Sequence, residues 1–541
     1  MREFGRFDFI IVGAGSAGCV LANRLSESGR YRVLLLEAGG RDSNPWIHVP
    51  LGYGKLFRDK SVNWLFESEP QAELNNRRII QPRGKVLGGS SSINGLVYMR
   101  GQRQDYDQWR QMGAVGWGYD DVLPYFRKAE RQCRGGDDFH GADGPLPVSD
   151  QSETHPLCEA FIAAAQEAGH PRNDDFNGAT QEGAGYYQTT SHRGLRISSA
   201  VAYLNPARRR NNLALVTRAH VTRVLFNGRT AVGAEWRCGD ETFRARADGE
   251  VVLSAGAIGT PHLLQLSGVG SAELLRSRGV EPLHDIAGVG ENLQDHLQVR
   301  LVYECKRPIT FNDDIHNPLR AAYVGLRYLL QRKGPLTVSA GYAGGFFRTD
   351  PALASPDIQV HFINFSTSKM GDALHRFSGF TASSCQLRPE SRGYVRLQSA
   401  DPLAAPAINP NYLATEADRR TNVAGVKLLR QIMRSPAMAA FTKAEREPGN
   451  HIENDADILS YCRQVGSSLY HPTCTARMGE DRGAVVDWRL RVRGLEKLRI
   501  VDGSVMPLVI SGNTHAAIVM IGEKATHMIL DDAQPAAARA A

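Results

Sequence analysis

A chain of 541 residues exceeds the ~250–300 residues at which a single hydrophobic core stops growing, so two structural units are expected. Hydrophobic residues make up 42% and charged residues 22% of it, which excludes a disordered or fibrous protein. The net charge of +7 is small for this length. Its arginines are scattered apart from Arg208–Arg210 and the alternating Arg489, Arg491 and Arg493, so nucleic-acid binding is not expected.

The first predicted element is a buried parallel strand over Phe7–Val12, an apolar run rich in β-branched residues. Gly13, Gly15 and Gly18 follow directly, then helix-compatible sequence through Leu25, then a second strand over Tyr31–Leu36 ending at Glu37. This is the order of a dinucleotide-binding βαβ unit. The first glycine permits the tight turn, the second lets the backbone approach a pyrophosphate, the third lets helix pack on strand, and the helix N-terminus offers free N–H groups. A carboxylate at the end of the second strand accepts hydrogen bonds from the adenine-side ribose and disfavours a 2′-phosphate, so FAD or NAD is expected over NADP. Arg2 and Arg6 before Ser16-Ala17-Gly18-Cys19 superficially resemble a cleaved lipoprotein signal, but the nucleotide turn explains the glycines better.

Arg83–Val97 (RGKVLGGSSSINGLV) is a second glycine-rich segment, whose small residues let the backbone run against a flat ring system while Asn94 offers it an amide. Farther on, Asp357–Phe365 alternates like a half-buried strand and Gly393–Gln398 reads similarly. Ala516–Leu530 has helical apolar spacing, with Ile518, Ile521, Ala525 and Met528 along one side and Ser511, Asn513 and Thr514 as candidate caps. The alanine-rich tail, residues 534–541, is expected to be disordered. No stretch approaches the ~18 apolar residues of a membrane-spanning helix, so any membrane association is peripheral, to the inner membrane. Eight well-separated cysteines without a C-x-x-C pair point to reduced thiols in a cytoplasmic protein and to no metal site.

Taken in order, these glycine-rich segments together with Ser254–Gly270, Gly288–His296, Tyr470–Cys474 and Val501–Pro507 resemble the glucose-methanol-choline oxidoreductase family, nearest its choline dehydrogenase and sorbose dehydrogenase branch. The resemblance runs from Phe7 to about Leu530. It implies an α/β chain, α+β overall. A discontinuous Rossmann-type FAD domain would come from residues 1–150, 192–297 and 467–533, and a substrate domain with an antiparallel sheet flanked by helices from 151–191 and 298–466. It selects FAD over NAD. The implied cofactor contacts begin with Gly13, Gly15, Ser16, Gly18, Glu37 and Ala38. They continue through Trp64, Val86, Gly88, Ser90, Asn94, Gly95, Leu96 and Val97, and then through Val221, Ala255, Asp502, Gly503 and Ala516. Asp502 is the expected partner of the ribityl chain, and Val221 meets the adenine through its backbone. Some relatives tether FAD through a histidine at the position of Ile93; isoleucine cannot form that bond, so non-covalent FAD is expected.

Oxidising an alcohol requires a base for the hydroxyl proton and an acceptor for the hydride. The resemblance makes His471, in a Tyr-His-Pro setting, the general base, titrating near physiological pH. His515 becomes the hydrogen-bond donor to the alkoxide, with an exchange of the two roles left open. Tyr470, Gln298 and His361 are candidate substrate contacts. Choline-specific relatives carry glutamate at the position of Gln298, so a neutral primary alcohol or polyol is expected in place of choline. The electron acceptor is left open among O₂, a quinone and a cytochrome, as is association with a second copy of the chain. The competing functions are choline dehydrogenase, an oxygen-using alcohol oxidase and an FAD-containing lyase of the hydroxynitrile type.

Overall fold

The computed structural model describes residues 1–533, and the tail expected to be disordered lies outside the described residues. The elements that position the site begin with β1 (Arg2–Val12), α1 (Ser16–Ser26), β2 (Val33–Glu37), α2 (Pro156–Glu167) and β3 (Gly183–Tyr186). Then come β4 (Leu213–Thr217), β5 (His220–Asn227), β6 (Thr230–Cys238), β7 (Glu241–Leu253), α3 (Gly256–Leu266) and β8 (Leu297–Cys305). The last are α4 (Pro318–Gln331), β9 (Ala343–Phe347), β10 (Ile358–Ile363), β11 (Gly379–Gln386), α5 (Glu416–Arg434), β12 (Thr442–Glu447), β13 (Ser467–Ser468), β14 (Leu498–Ile500) and α6 (His515–Asp532).

The first sheet has the order β4-β2-β1-β7-β6-β5, with β14 added alongside β7. Its β4, β2, β1, β7 and β14 contacts are parallel, and β6 and β5 extend it as an antiparallel ribbon. All five residues of β2 are buried, as a strand covered on both faces requires. α6 packs on α1, and Gly522 permits the approach: a Cβ there would lie 3.1 Å from Val20 Cβ. Next to it Glu523, fully buried, is neutralised by Arg24 at 2.8 Å and Lys128 at 3.1 Å, and the Tyr203 hydroxyl donates to it at 3.0 Å.

The second sheet is antiparallel, in the order β12-β8-β11-β10-β9-β3, with β13 beside β8. It is the core of a separate apolar cluster. β10 is buried at all six positions, where its alternation predicted a half-buried strand. The reason is that α2 and α5 cover the face carrying Ile358, Val360 and Phe362, while His361 and Ile363 on the other face line a cavity. β13, at the start of the segment expected in the nucleotide half, pairs with β8 and ties the two halves together.

α6 is buried on nearly every side, not along one stripe. Its N-cap is Thr514, whose side chain makes no capping hydrogen bond. The other expected caps are occupied elsewhere: the Ser511 hydroxyl donates to Asp105, and the Asn513 amide to His471.

Candidate active site

A cavity of about 780 Å³ is lined by both halves of the molecule. At the turn after β1, Gly13 takes φ +101°, and a Cβ there would lie 2.5 Å from the Ser254 carbonyl oxygen; one on Gly18 would lie 1.9 Å from the Gly13 carbonyl oxygen. Only glycine fits either position. Gly15 then caps α1 with no side-chain bond, leaving the first-turn N–H groups at the cavity wall. Glu37 faces the same space, its oxygens accepting the Ala14 and Gly39 N–H groups, both at 2.8 Å. Burial pushes its pKa up to about 7, opposed by those two bonds and by Lys85.

Of the other expected cofactor residues, Ser16, Ala38, Trp64, Ser90, Asn94 and Gly95 lie in the wall, as do Leu96, Val97, Val221, Ala255, Asp502 and Gly503. The Asn94 carbonyl oxygen accepts from Arg196 at 2.6 Å and from the Leu96 N–H at 3.1 Å, so its NH₂ group is left for the cavity. Gly18, Val86, Gly88 and Ala516 lie behind the wall and do not line it. Val86 packs with Ile47, Leu56 and Val62, Gly88 donates its N–H to the Ala14 carbonyl, and Ala516 belongs to the core of the first half. Asp502 is committed before any ligand arrives. One oxygen accepts the Ser504 N–H at 2.8 Å, the other the Gly256 N–H at 2.9 Å and the Thr260 hydroxyl at 2.6 Å, fixing the start of α3. This is a turn-capping role, held by a carboxylate that also lines the cavity, where the resemblance expects the ribityl chain.

The histidines meet in the same cavity. His296 Nε2 lies 2.9 Å from the Leu387 carbonyl oxygen, which only accepts, so this nitrogen carries the proton and Nδ1 is an acceptor. Nδ1 of His296 lies 2.9 Å from Nδ1 of His471, which must therefore be the protonated nitrogen of that ring. The consequence is a neutral His471 with a lone pair on Nε2, toward which the Asn513 NH₂ points at 3.3 Å. Asp295 fixes the backbone beneath, accepting the His471 N–H at 2.7 Å and the His296 N–H at 2.9 Å. Tyr470 is held at φ +69°, a strained value for a bulky side chain, with its carbonyl receiving Arg83 at 2.5 Å.

Burial holds His471 well below 6.5, with His296, His361 and Arg83 adding to the effect, so it does not titrate near neutral pH as the sequence suggested. His515 is pushed down to about 4, mainly by burial and further by Arg196. Its Nδ1 sits 3.0 Å from the Ser16 hydroxyl and its Nε2 is buried without a partner. His361, also pushed to about 4 by burial with His296 nearby, brings neither ring nitrogen into hydrogen-bonding geometry. Gln298 lines the cavity and donates to the Ser468 carbonyl at 3.3 Å.

Sequence reasoning missed the roles of His296 and Asp295, although both stand at the end of the Gly288–His296 segment. It treated Asn513 only as a cap. It also missed Arg300, which alternation along β8 places on the same face as Gln298.

Residues 7–298 and 389–522 match the two GMC oxidoreductase family models. The chain is 44% identical over 535 residues to an alcohol dehydrogenase [acceptor] of Pseudomonas putida, covering 97% of this chain and 96% of that one. It is 44% identical over 532 residues to the mitochondrial choline dehydrogenase of Homo sapiens, with 97% and 89% covered. A solved variant of Aspergillus oryzae formate oxidase, described for the modification of its FAD, superposes with a TM-score of 0.90 at 28% identity, covering 98% of this chain and 99% of that one. With both family models matched and relatives 44% identical over nearly the whole chain, the chain belongs to the GMC oxidoreductases, FAD enzymes that oxidise CH–OH groups.

Proposed function

We propose that this enzyme oxidises a primary alcohol that bears no cationic head, His471 accepting the hydroxyl proton on Nε2 while His515 holds the alcohol oxygen. The observation that carries the reading is the ordered chain from the Leu387 carbonyl through His296 to His471, which leaves a basic nitrogen free on a ring kept neutral by burial. The alcohol displaces the long Asn513 contact. If the Ser16 hydroxyl donates to Nδ1 of His515, the proton on Nε2 is free to hydrogen-bond an alkoxide. FAD, when bound, accepts the hydride.

The residues present fit FAD. Glu37, the Gly13–Gly15 turn and the start of α1 would hold its adenosine and pyrophosphate portion, with Asn94 and Gly95 against the ring system. The uncapped N-terminus of α6 supplies positive potential for charge gained on reduction. Ile93, an aliphatic side chain in the wall, supports non-covalent attachment. We assign residues 1–150, 192–297 and 467–533 to the FAD domain and 151–191 and 298–466 to the substrate domain, supported by the separate sheets and apolar clusters. Gln298 brings no charge to meet a trimethylammonium group, which disfavours choline.

A cytoplasmic enzyme peripheral to the inner membrane is part of the reading, and a membrane quinone is the acceptor it favours. Among the described residues no helix is long and apolar enough to cross a membrane. α4, however, exposes Leu319 (83%), Tyr323 (64%), Leu326 (56%) and Leu330 (74%) on one face, ending at the exposed cations Arg332 and Lys333.

The test is anaerobic mixing of the purified flavoprotein with a panel of alcohols. Loss of the oxidised-flavin absorbance supports the reading. A flavin that stays oxidised with every alcohol, in a protein that cleaves a cyanohydrin, would establish a lyase instead.

A further inference from the structure

We infer that the alcohol carries a carboxylate, received inside the cavity by the Arg300 guanidinium. The inference rests on the alcohol-oxidation reading and narrows it from an alcohol without a cation to one with an anion.

Arg300 lies on β8, opposite Ser383 of β11, which in turn lies opposite His361 of β10. The three form one row across the sheet, and all three line the cavity. With strands about 4.8 Å apart, the Arg300 backbone is about 10 Å from that of His361, a span the long arginine side chain reaches across. Yet among the described residues the Arg300 guanidinium makes no hydrogen bond, no ion pair and no aromatic contact, and its Nη2 is buried without a partner. Glu447 acts on it only through space.

That state is unusual in this molecule. Arg100, Arg430 and Arg499 are more deeply buried, and each is matched by a carboxylate: Glu130, Glu445, and Glu250 with Asp532. Arg196 and Arg83 have no carboxylate, but their guanidinium groups donate to amide carbonyl oxygens, which that of Arg300 does not. Arg300 keeps its charge with nothing to neutralise it, an arrangement that costs stability unless a ligand compensates. A second donor is in the same condition. Tyr53 lines the cavity, is 5% exposed, and its hydroxyl has no partner. Two donors without partners therefore line one cavity, close enough for the Arg300 charge to act on the Tyr53 hydroxyl. A carboxylate is planar, takes the guanidinium fork bidentately and has lone pairs left for a phenol. The phosphates of the cofactor do not meet this need, because the turn that suits them, Gly13 to Ser16, belongs to the opposite sheet. A choline headgroup would meet Arg300 as a like charge, a stronger objection than the missing glutamate at Gln298.

The experiment compares ω-hydroxycarboxylates of graded length, matched 1-alkanols and choline as reductants of the holoenzyme, and titrates the same holoenzyme with butanoate by flavin difference spectrum. The expected wild-type result is a kcat/KM at least about 10-fold higher for the hydroxycarboxylate of best length than for its alkanol. Arg300→Leu should lower that ratio by about 10²-fold and abolish butanoate binding, with Arg300→Lys falling between. FAD content is measured in each variant. No hydroxycarboxylate preference in the wild type would overturn the inference, as would equal losses for both substrate classes in Arg300→Leu, or FAD loss from both variants with the ratio unchanged. If no alcohol of any kind reduces the flavin, it is the alcohol-oxidation reading that falls. The butanoate titration then still decides whether Arg300 receives a carboxylate.

Discussion

Replacing His296 by phenylalanine keeps a planar ring of similar size but removes one donor and one acceptor from the centre of the site. The Leu387 carbonyl loses an N–H at 2.9 Å, and the His471 Nδ1–H loses its acceptor at 2.9 Å. Each buried polar group left unpaired costs about 1–3 kcal/mol, so the unfolding free energy should fall by about 2–6 kcal/mol. The catalytic loss is separate. Without an acceptor at Nδ1, nothing favours the His471 tautomer whose Nε2 is free, and a misorientation worth about 1–3 kcal/mol slows flavin reduction roughly 5–160-fold. KM should change little, because the tautomer matters as the proton leaves. His296→Gln is the informative companion, since its amide donates to Leu387 and accepts from His471; it should recover most of the rate. Anaerobic stopped-flow reduction by one good alcohol, with thermal melting and FAD content for each variant, separates the two effects. A phenylalanine variant that melts early but reduces its flavin at the wild-type rate would refute the tautomer argument. A glutamine variant as slow as phenylalanine would do the same.

Five further outcomes are expected. His471→Ala should slow flavin reduction by about 10²-fold or more, and because burial holds this histidine well below 6.5, the wild-type inflection in kcat/KM should lie on the acid side of that value. His515→Asn, which keeps a donor, should cost much less, and the reverse order would exchange the two roles. Acid precipitation should release the flavin into the supernatant; colour retained by the pellet would contradict the reading of Ile93. Glu37 binds its proton more tightly folded than unfolded, because burial pushes its pKa up to about 7 from the ordinary 4.5 of a glutamate. The apoprotein should therefore lose stability as pH rises through that window, and Glu37→Gln should flatten the loss in apoprotein melts. Finally, Leu319→Glu with Leu326→Glu should abolish sedimentation with anionic phospholipid vesicles, and unchanged pelleting would remove α4 from the membrane reading.

The parts of the molecule legible in the sequence are those whose chemistry is contiguous. Gly13, Gly15, Gly18 and Glu37 sit in one βαβ unit, where a local rule ties each residue to its task. His471 and His515 were found by motif, but their supporting shell was not. His296 is 175 positions from its partner His471, and no spacing rule joins them. Asn513 was read as a cap because asparagine before a helix ordinarily is one, whereas here the sheet supplies a competing partner in Gln359, which donates to its carbonyl at 3.1 Å. Arg300 was within reach, since residues two apart on a strand share a face and Gln298 had already been singled out. What was hidden was the absence of a counter-charge, a property of the whole cavity. β10 misled for a related reason: alternation records which face touches apolar side chains, and a polar face sealed over a cavity looks the same as one open to water.

The packing of α6 on α1 sets a schedule for the making of this protein. Ser16 and His515 touch across the cavity although 499 positions separate them. At about 5–20 residues per second of synthesis, the first helix waits roughly 25–100 s for the last one to leave the ribosome. Until then Ala17 and Val20 lack the helix that approaches them at Gly522, and the first sheet lacks β14 alongside β7. The nucleotide cradle is thus opened by an early segment of this sequence and completed by a late one, so its closure has to follow synthesis of α6.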